Sequence, residues 1–403
     1  MTGTFDHAGA LRRLRVIDLT QVMAGPFCCQ LLADFGARVT KVEPVGTGDH
    51  SRHAMGFHMK GQDSVSFLAV NRNKESVALN LKSSEGREVF YRLVDDADVV
   101  VENFRPGVTK RLGVDCPTLR ARNPRLIYAS ISGFGQTGPY ANRAGYDLIA
   151  QAMSGVMSVT GQPDGDPVKC GIPIADLGAG LFATVGILSA VIAREETGEG
   201  QQVDTSLFEA ALGLSIWETA ELWGSGRVPV PFGSAHRFSA PYQALRTRDG
   251  YLTVGANNQR LWERFCRSID RADLLTDDRF TTNTERMANR EILATELESV
   301  LKDRTTDEWV TVLDDSGVPC GPIRNYAEVA SDPHTLAREM VVEMTHPVEG
   351  TVKGLGIPVK LSNTPGRVRS AAPLLGEHTD DVLARYGYSA DEIAALRETE
   401  AVQ

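Results

Sequence analysis

Arg15-Val-Ile-Asp-Leu19, then the stretch from Pro26 to Asp34, then Ala37-Arg-Val-Thr-Lys-Val-Glu43: the reading of this opening decides the fold. A short apolar run, a segment with helical spacing, Gly36 and a second apolar run make a βαβ unit. The alternation continues through Val77-Ala-Leu-Asn-Leu81, a helix opening at Ser83-Ser-Glu-Gly86, Asp98-Val-Val-Val-Glu102, more helical sequence and Leu126-Ile-Tyr-Ala-Ser-Ile131. Strands separated by helices predict right-handed crossovers, and so an α/β fold with a doubly wound, Rossmann-like parallel sheet.

Near residue 225 the pattern changes. Trp223-Gly-Ser-Gly-Arg-Val-Pro-Val-Pro-Phe-Gly233 reads as a linker, followed by a hairpin over Tyr242–Val254 that turns at Asp249-Gly250. Charged helical sequence fills Gln259 to Asp314, and Gly317-Val-Pro-Cys-Gly-Pro-Ile323 closes the region. The expected division is a large Rossmann-like domain beginning over 1–224, a smaller α+β domain over 225–330, and a C-terminal return to the large domain over 331–403.

The chain has 403 residues, 42% of them hydrophobic, enough for more than one core. Its net charge of −10 argues against non-specific binding of nucleic acid or anionic membrane, which clustered Lys and Arg would attract. The cysteines Cys28, Cys29, Cys116, Cys170, Cys266 and Cys320 have no CxxC spacing, so reduced thiols in a cytoplasm are expected rather than a disulfide framework or zinc cage. Met1-Thr-Gly-Thr-Phe-Asp-His7 has no basic start leading into an apolar run, and no export is expected. The small-residue apolar stretch Leu177–Ala193 reads as a buried core helix rather than a membrane span.

A βαβ opening with Glu43 at the end of its second strand raises the possibility of a dinucleotide, the acid holding ribose hydroxyls. The turn reads Met23-Ala-Gly-Pro26, however, and lacks the G-x-G-x-x-G cradle that lets backbone approach a pyrophosphate. Pro26 as an opening residue of a helix is the simpler account.

Several segments are specific in combination: Ala24-Gly-Pro26, Lys41-Val-Glu43, Gly46-Thr-Gly-Asp49, Asn71-Arg-Asn-Lys74, Val101-Glu-Asn-Phe-Arg-Pro-Gly107, Gly133-Phe-Gly-Gln-Thr-Gly-Pro139, Gly145-Tyr-Asp147, Ile174-Ala-Asp-Leu177 and Leu375-Gly-Glu-His-Thr379. In this order they resemble the class III CoA-transferase family, which includes formyl-CoA transferase, carnitine CoA-transferase and the α-methylacyl-CoA racemases. The resemblance implies an interlocked, ring-like homodimer that uses acyl-CoA and a free carboxylic acid as substrates, with no permanently bound cofactor or metal.

From its place before an apolar run, Asp176 reads as a helix N-cap held ionised by the helix dipole. The resemblance makes it the nucleophile, through an aspartyl mixed anhydride and an enzyme-CoA thioester. It also places Met23, Ala24, Leu79, Lys82, Asn103, Phe104, Arg111 and Tyr146 against CoA. On their own terms, Lys82 and Arg111 read as ordinary surface cations and Tyr146 as a partly buried aromatic. Met23 stands where formyl-CoA transferase has Gln, which disfavours formate and oxalate. Gly255-Ala-Asn-Asn-Gln259 keeps one glycine of the family's flexible loop, leaving Gly255, Asn257 and Gln259 as substrate candidates.

The racemases carry Gly-His-Asp where this chain has Gly145-Tyr-Asp147, and a tyrosine with a pKa of about 10 is a poor second base at neutral pH. Racemisation is therefore disfavoured; a non-catalytic CoA-binding homologue is the other alternative. The segment Gly233–Gln243 looks most like the branch that transfers CoA between dicarboxylic acids, with succinyl-CoA as donor. A distal carboxylate needs cations or donors, for which Arg52, His236 and Arg237 are the candidates.

Overall fold

The computed structural model describes residues 9–403, so the N-terminal segment on which the absence of an export signal was read lies outside the described residues. The chain forms two compact units: the larger takes in residues up to Val156, Lys169–Ala220 and Pro333–Gln403, and the smaller takes Met157–Val168 and Glu221–Asp332. The segment 157–168 carries no break in pattern that would assign it to the smaller unit from sequence.

The larger unit is built on strands β1 (Arg15–Asp18), β2 (Arg38–Glu43), β3 (Lys74–Ala78), β4 (Val99–Glu102), β5 (Ile127–Ser132) and β6 (Gln202–Ser206). They lie in the order β3-β2-β1-β4-β5-β6, and every neighbouring pair is parallel. The order in which strands are added reverses between β1 and β4, and a crevice opens at such a point beyond the carboxyl ends of the strands. Helices cover both faces, which is why Val99, Val100 and Val101 are all fully buried. Two of these strands differ from the sequence reading. β3 begins at Lys74 rather than Val77, because its first residues are buried charges that an apolar run does not include. β6 has no apolar run because it is an edge strand, and its outer residues are exposed.

The helix Ile174–Thr197 packs Ala175, Ala179, Ala183, Ile187 and Ala190 into the core on one side. It is 24 residues long and apolar enough by composition to cross a membrane, but only 39% of its apolar window is buried. The expected buried core helix is buried along one face, and Leu181, Val185 and Ile192 are exposed on the other.

The smaller unit has an antiparallel three-stranded sheet of Tyr242–Arg246, Tyr251–Gly255 and Cys320–Pro322. Helices cover it around Trp262, Phe265, Leu297 and Leu313. In the larger unit, the C-terminal return docks on β3, where His378 N donates to Ser76 O at 2.9 Å.

Charges organise the β1–β3 edge of the sheet. Lys74 Nζ donates to Asp18 Oδ2 at 2.9 Å, to Pro26 O at 2.9 Å and to Asn71 Oδ1 at 2.8 Å. Lys41 Nζ lies 2.9 Å from Asp49 Oδ2 and donates to Thr20 O at 2.7 Å. Burial alone would raise the Asp18 carboxyl, but the ammonium groups of Lys41 and Lys74 hold it below its usual range. Glu43 accepts from Arg52 Nε and Nη2, both at 2.8 Å, from Ser76 Oγ at 2.7 Å and from Asp49 N at 2.9 Å. It is structural and offers nothing to a ribose.

Arg52 is corrected by the same network. Its Nη1 reaches Asp63 at 2.8 Å and its Nη2 reaches Pro373 O at 3.1 Å, its guanidinium lies 3.7 Å from the Phe67 ring centroid, and it is 1% exposed. Four of its five N–H donors are spent inside the protein, which leaves it poorly placed to hold a substrate carboxylate. Breaking a buried pair from one side strands the other charge. Lys74→Met therefore destabilises the larger unit by about 3–5 kcal/mol in urea unfolding. Lys353→Ala, at an exposed pair with Glu343, costs at most about 1 kcal/mol. Equal effects would remove the network from this account.

Candidate active site

Asp176 does not cap its helix. The N-cap position belongs to Pro173, and Asp176 lies in the first helical turn. Proline has no side-chain acceptor, so the orphan N–H groups of that turn need another partner. Asp147 supplies it: its Oδ1 accepts from Ala175 N at 2.9 Å and from Asp176 N at 3.3 Å. The Asp147 Oδ2 accepts from Gln151 Nε2 at 2.6 Å, and fully buried Gln151 in turn accepts from Cys170 N at 2.8 Å.

Two carboxylates therefore share one helix start. Burial first, and the negative charge of Asp147 second, push the Asp176 carboxyl up to about 7. The sequence reading had the helix dipole keeping this group ionised; the structure reverses that, because burial and then the Asp147 charge outweigh the dipole. A carboxyl poised near neutrality is ionised often enough to attack and basic enough to be a good nucleophile.

The glycines of the sequence motifs hold this arrangement together. A Cβ on Gly145 would lie 2.5 Å from Gly133 Cα, so the two glycine segments touch backbone to backbone just before Asp147. A Cβ on Gly180 would lie 2.8 Å from Ala24 O, so the Asp176 helix meets the helix Ala24–Asp34 at its opening turn. Met23 and Ala24 thus stand at the helix that carries Asp176. Val22, just before them, has φ of 72°, a costly conformation for a β-branched residue, and its N–H donates to Asp49 Oδ1 at 3.1 Å.

Beyond the ends of β1, β2 and β3 lies a cavity of about 460 Å3. Leu79, Lys82 and Phe104 line it, with Gln21, Thr47 and Leu112. Asn103 is placed differently: its Oδ1 accepts from Gln21 N at 2.8 Å and its Nδ2 donates to Gln21 O at 2.7 Å. It clamps the switch point and spends its amide doing so. Arg111 is exposed on the short helix Val108–Leu112 and is not among the lining residues. Tyr146 is 66% exposed beside Asp147.

The candidates in the smaller unit are arranged among themselves. His236 stacks on Tyr242 with ring centroids 4.9 Å apart. Arg237 pairs with Glu221 at 3.1 Å and donates to Val230 O at 2.8 Å, which commits its guanidinium to the unit's own structure. The segment 255–259, which keeps one glycine of the family's flexible loop, forms a tight strand-to-helix connection. Gly255 N donates to Pro319 O at 2.9 Å, Asn258 caps the following helix, and Gln259 accepts from Arg286 at 3.2 Å. Gly255 and Asn257 line a small cavity of about 360 Å3 with Tyr242 and Cys320. Asp147 is the residue that sequence reasoning missed, although it stands inside the quoted Gly145-Tyr-Asp147 segment.

A doubly wound sheet with a cavity at its carboxyl edge and a near-neutral aspartate at a helix start defines an α/β enzyme site of the acyl-transfer kind. The signature of CoA-transferase family III matches residues 11–379, and the chain belongs to that family. It is 42% identical to the acetyl-CoA:oxalate CoA-transferase of Acetobacter aceti, over 92% of this chain and 94% of that one. It is 38% identical to the succinyl-CoA:glutarate CoA-transferase of Mus musculus, over 94% of this chain and 86% of that one. A CaiB/BaiF family protein from Brucella suis has the same fold with a TM-score of 0.85 and 39% identity, covering 94% of this chain and all of that one.

The poised carboxyl has a direct readout. With 13C-labelled aspartate, the resonance lost in Asp176→Asn titrates with a midpoint of about 7. A midpoint of about 4, the ordinary aspartate value, would show a solvated carboxylate and remove the electrostatic argument.

Proposed function

We propose that this enzyme moves CoA from succinyl-CoA to a free dicarboxylic acid, with Asp176 as the nucleophile. The observation that carries the reading is the half-buried Asp176 carboxyl, raised to about 7 at a helix start. An Asp176 carboxylate oxygen attacks the donor thioester carbonyl, the carbon–sulfur bond breaks, and CoA thiolate leaves an aspartyl mixed anhydride. The thiolate then attacks the Asp176 carbonyl, giving an enzyme-CoA thioester and releasing the donor acid. The acceptor carboxylate and the same two steps in reverse deliver the new acyl-CoA. The anhydride retains the free energy of the thioester, so the exchange runs without ATP.

The cavity supports a role in holding CoA: Leu79 and Phe104 offer apolar surface to an adenine, and the exposed Lys82 offers a cation to phosphate. Met23, Ala24 and Tyr146 fall to the pantetheine and acyl end, and Asn103 acts through Gln21. Arg111 remains a candidate only for the outer phosphates. With Arg52 and Arg237 committed elsewhere, His236, Gly255, Asn257 and Gln259 are left to meet the acceptor. The relatives' names support a dicarboxylate as acceptor, oxalate among them. That widens the choice beyond what Met23 suggested.

A second copy of this chain is the partner that would cover Leu181, Val185 and Ile192 of the long helix, together with Trp217, all exposed. Reduced cysteines and the acidic composition fit a cytoplasmic enzyme.

Purified protein with succinyl-CoA and a panel of acids that includes glutarate and oxalate forms a new acyl-CoA by mass spectrometry, and Asp176→Ala does not. In the same assay Lys82→Ala raises the KM for the donor severalfold with kcat retained. Transfer by Asp176→Ala, or epimerisation of a 2-methylacyl-CoA in place of transfer, refutes the reading. Light scattering gives a dimer for the wild type and a smaller species or aggregate for Val185→Glu; a monomeric wild type would rule out the second copy.

A further inference from the structure

Asp147 is placed to do more than cap a helix. It lies at the first position of the short helix Asp147–Met153, directly after the Gly133–Gly145 contact, and reaches two backbone N–H groups of the Asp176 turn. Gln151, buried between them, ties Asp147 Oδ2 to Cys170 and so fixes both ends of the segment 170–176. An uncharged acceptor such as Ser or Asn would cap this helix as well. A carboxylate costs more here, because it sets a second negative charge beside the first.

We propose that Asp147 is a positioning residue that uses this repulsion: it holds the backbone of Asp176 while disfavouring the free Asp176 carboxylate relative to the acylated, neutral forms of the same side chain. The inference rests on Asp176 being the nucleophile. When Asp176 attacks a thioester carbonyl, its charge leaves with the CoA thiolate. When that thiolate attacks the Asp176 carbonyl, the charge leaves with the released acid. In both covalent states Asp176 is neutral, so the repulsion with Asp147 and the desolvation of a buried anion are relieved together. The ground state is raised and the intermediates are not.

Among the described residues, Asp147 is the one whose charge raises Asp176. The helices packed against its own, Ala24–Asp34 and Leu207–Leu214, carry Asp34 and Glu209, and the neighbouring β6 carries Asp204. None of these contributes to the raised Asp176 carboxyl, whereas Asp147 does. With no cation beside it to absorb the charge, the pair responds to a single substitution.

The test is Asp147→Asn, which keeps an oxygen acceptor for the two N–H groups, removes the charge and gives up the acceptor for Gln151 Nε2. The acid limb of kcat/KM moves to lower pH by about one unit, because the nucleophile now ionises more readily. The high-pH plateau falls severalfold, because a less basic carboxylate is a weaker nucleophile. The fraction of enzyme carrying covalently bound CoA, read by intact mass after quenching with the donor and no acceptor, falls with it. Asp147→Ser, a second neutral cap, gives the same three shifts and serves if the Asn variant does not fold. A merely structural Asp147 would lower activity at all pH values and leave the acid limb and the covalent fraction unchanged, which overturns the inference. If Asp176→Ala still transfers CoA, the nucleophile assignment has failed; if it is inactive and the acid limb does not move, only the role of Asp147 has failed.

Discussion

Asp18 at the end of β1 is the charge on which the surrounding structure closes. Its Oδ1 accepts from Thr20 N at 2.8 Å and its Oδ2 from Lys74 at 2.9 Å, and all three side chains are shut off from water. Such a site is costly to desolvate and tolerates little displacement, because each charge is neutralised only while its partner stays in place. Thr20, held in this way, packs against Gly25 so closely that a Cβ there would lie 2.3 Å from the threonine side chain. Lys74 also binds the Pro26 carbonyl. The turn from β1 into its helix is thereby fixed, and Ala24 of that turn abuts Gly180, one helical turn beyond Asp176. The position of Asp176 is thus inherited from an ion pair.

The same domain sorts its carboxylates by what surrounds them. Burial would raise Asp49, but the Lys41 ammonium and Ser51 hold it at about 2; Asp176 has an aspartate for a neighbour and rises to about 7. Residue type does not separate the two: Asp49 has an ammonium and hydrogen-bond donors to offset its burial, whereas for Asp176 burial is reinforced by a like charge. The motifs Lys41-Val-Glu43, Gly46–Asp49 and Asn71–Lys74 belong mainly to the first group. They build the frame of the larger unit, and Arg52, chosen from sequence as a cation for a distal carboxylate, is drawn into that frame through Glu43.

The β1–β5 alternation could be read from sequence because buried parallel strands are apolar runs between helical spacings. β6 was hidden because an edge strand needs no apolar run, and the start of β3 because its first residues are buried charges. Leu79 and Lys82, which line the same cavity as Phe104, were named only through the family resemblance, whereas Asp176 and Phe104 stand in quoted motifs. Asp147 was visible in the same way, but its importance lies in an acceptor distance to residues 28 and 29 positions later, which no local pattern encodes.

The sequence by itself determined the α/β class and the family, because these follow from local periodicity and from motifs in order. The tertiary structure decided which charges are spent and which are free. Lys74 and Asp18 are 56 positions apart and Arg52 and Pro373 are 321 apart, and only the folded chain shows that they satisfy one another. It also decided the protonation of Asp176, since a pKa is set by distance, burial and the sign of neighbouring charge in three dimensions.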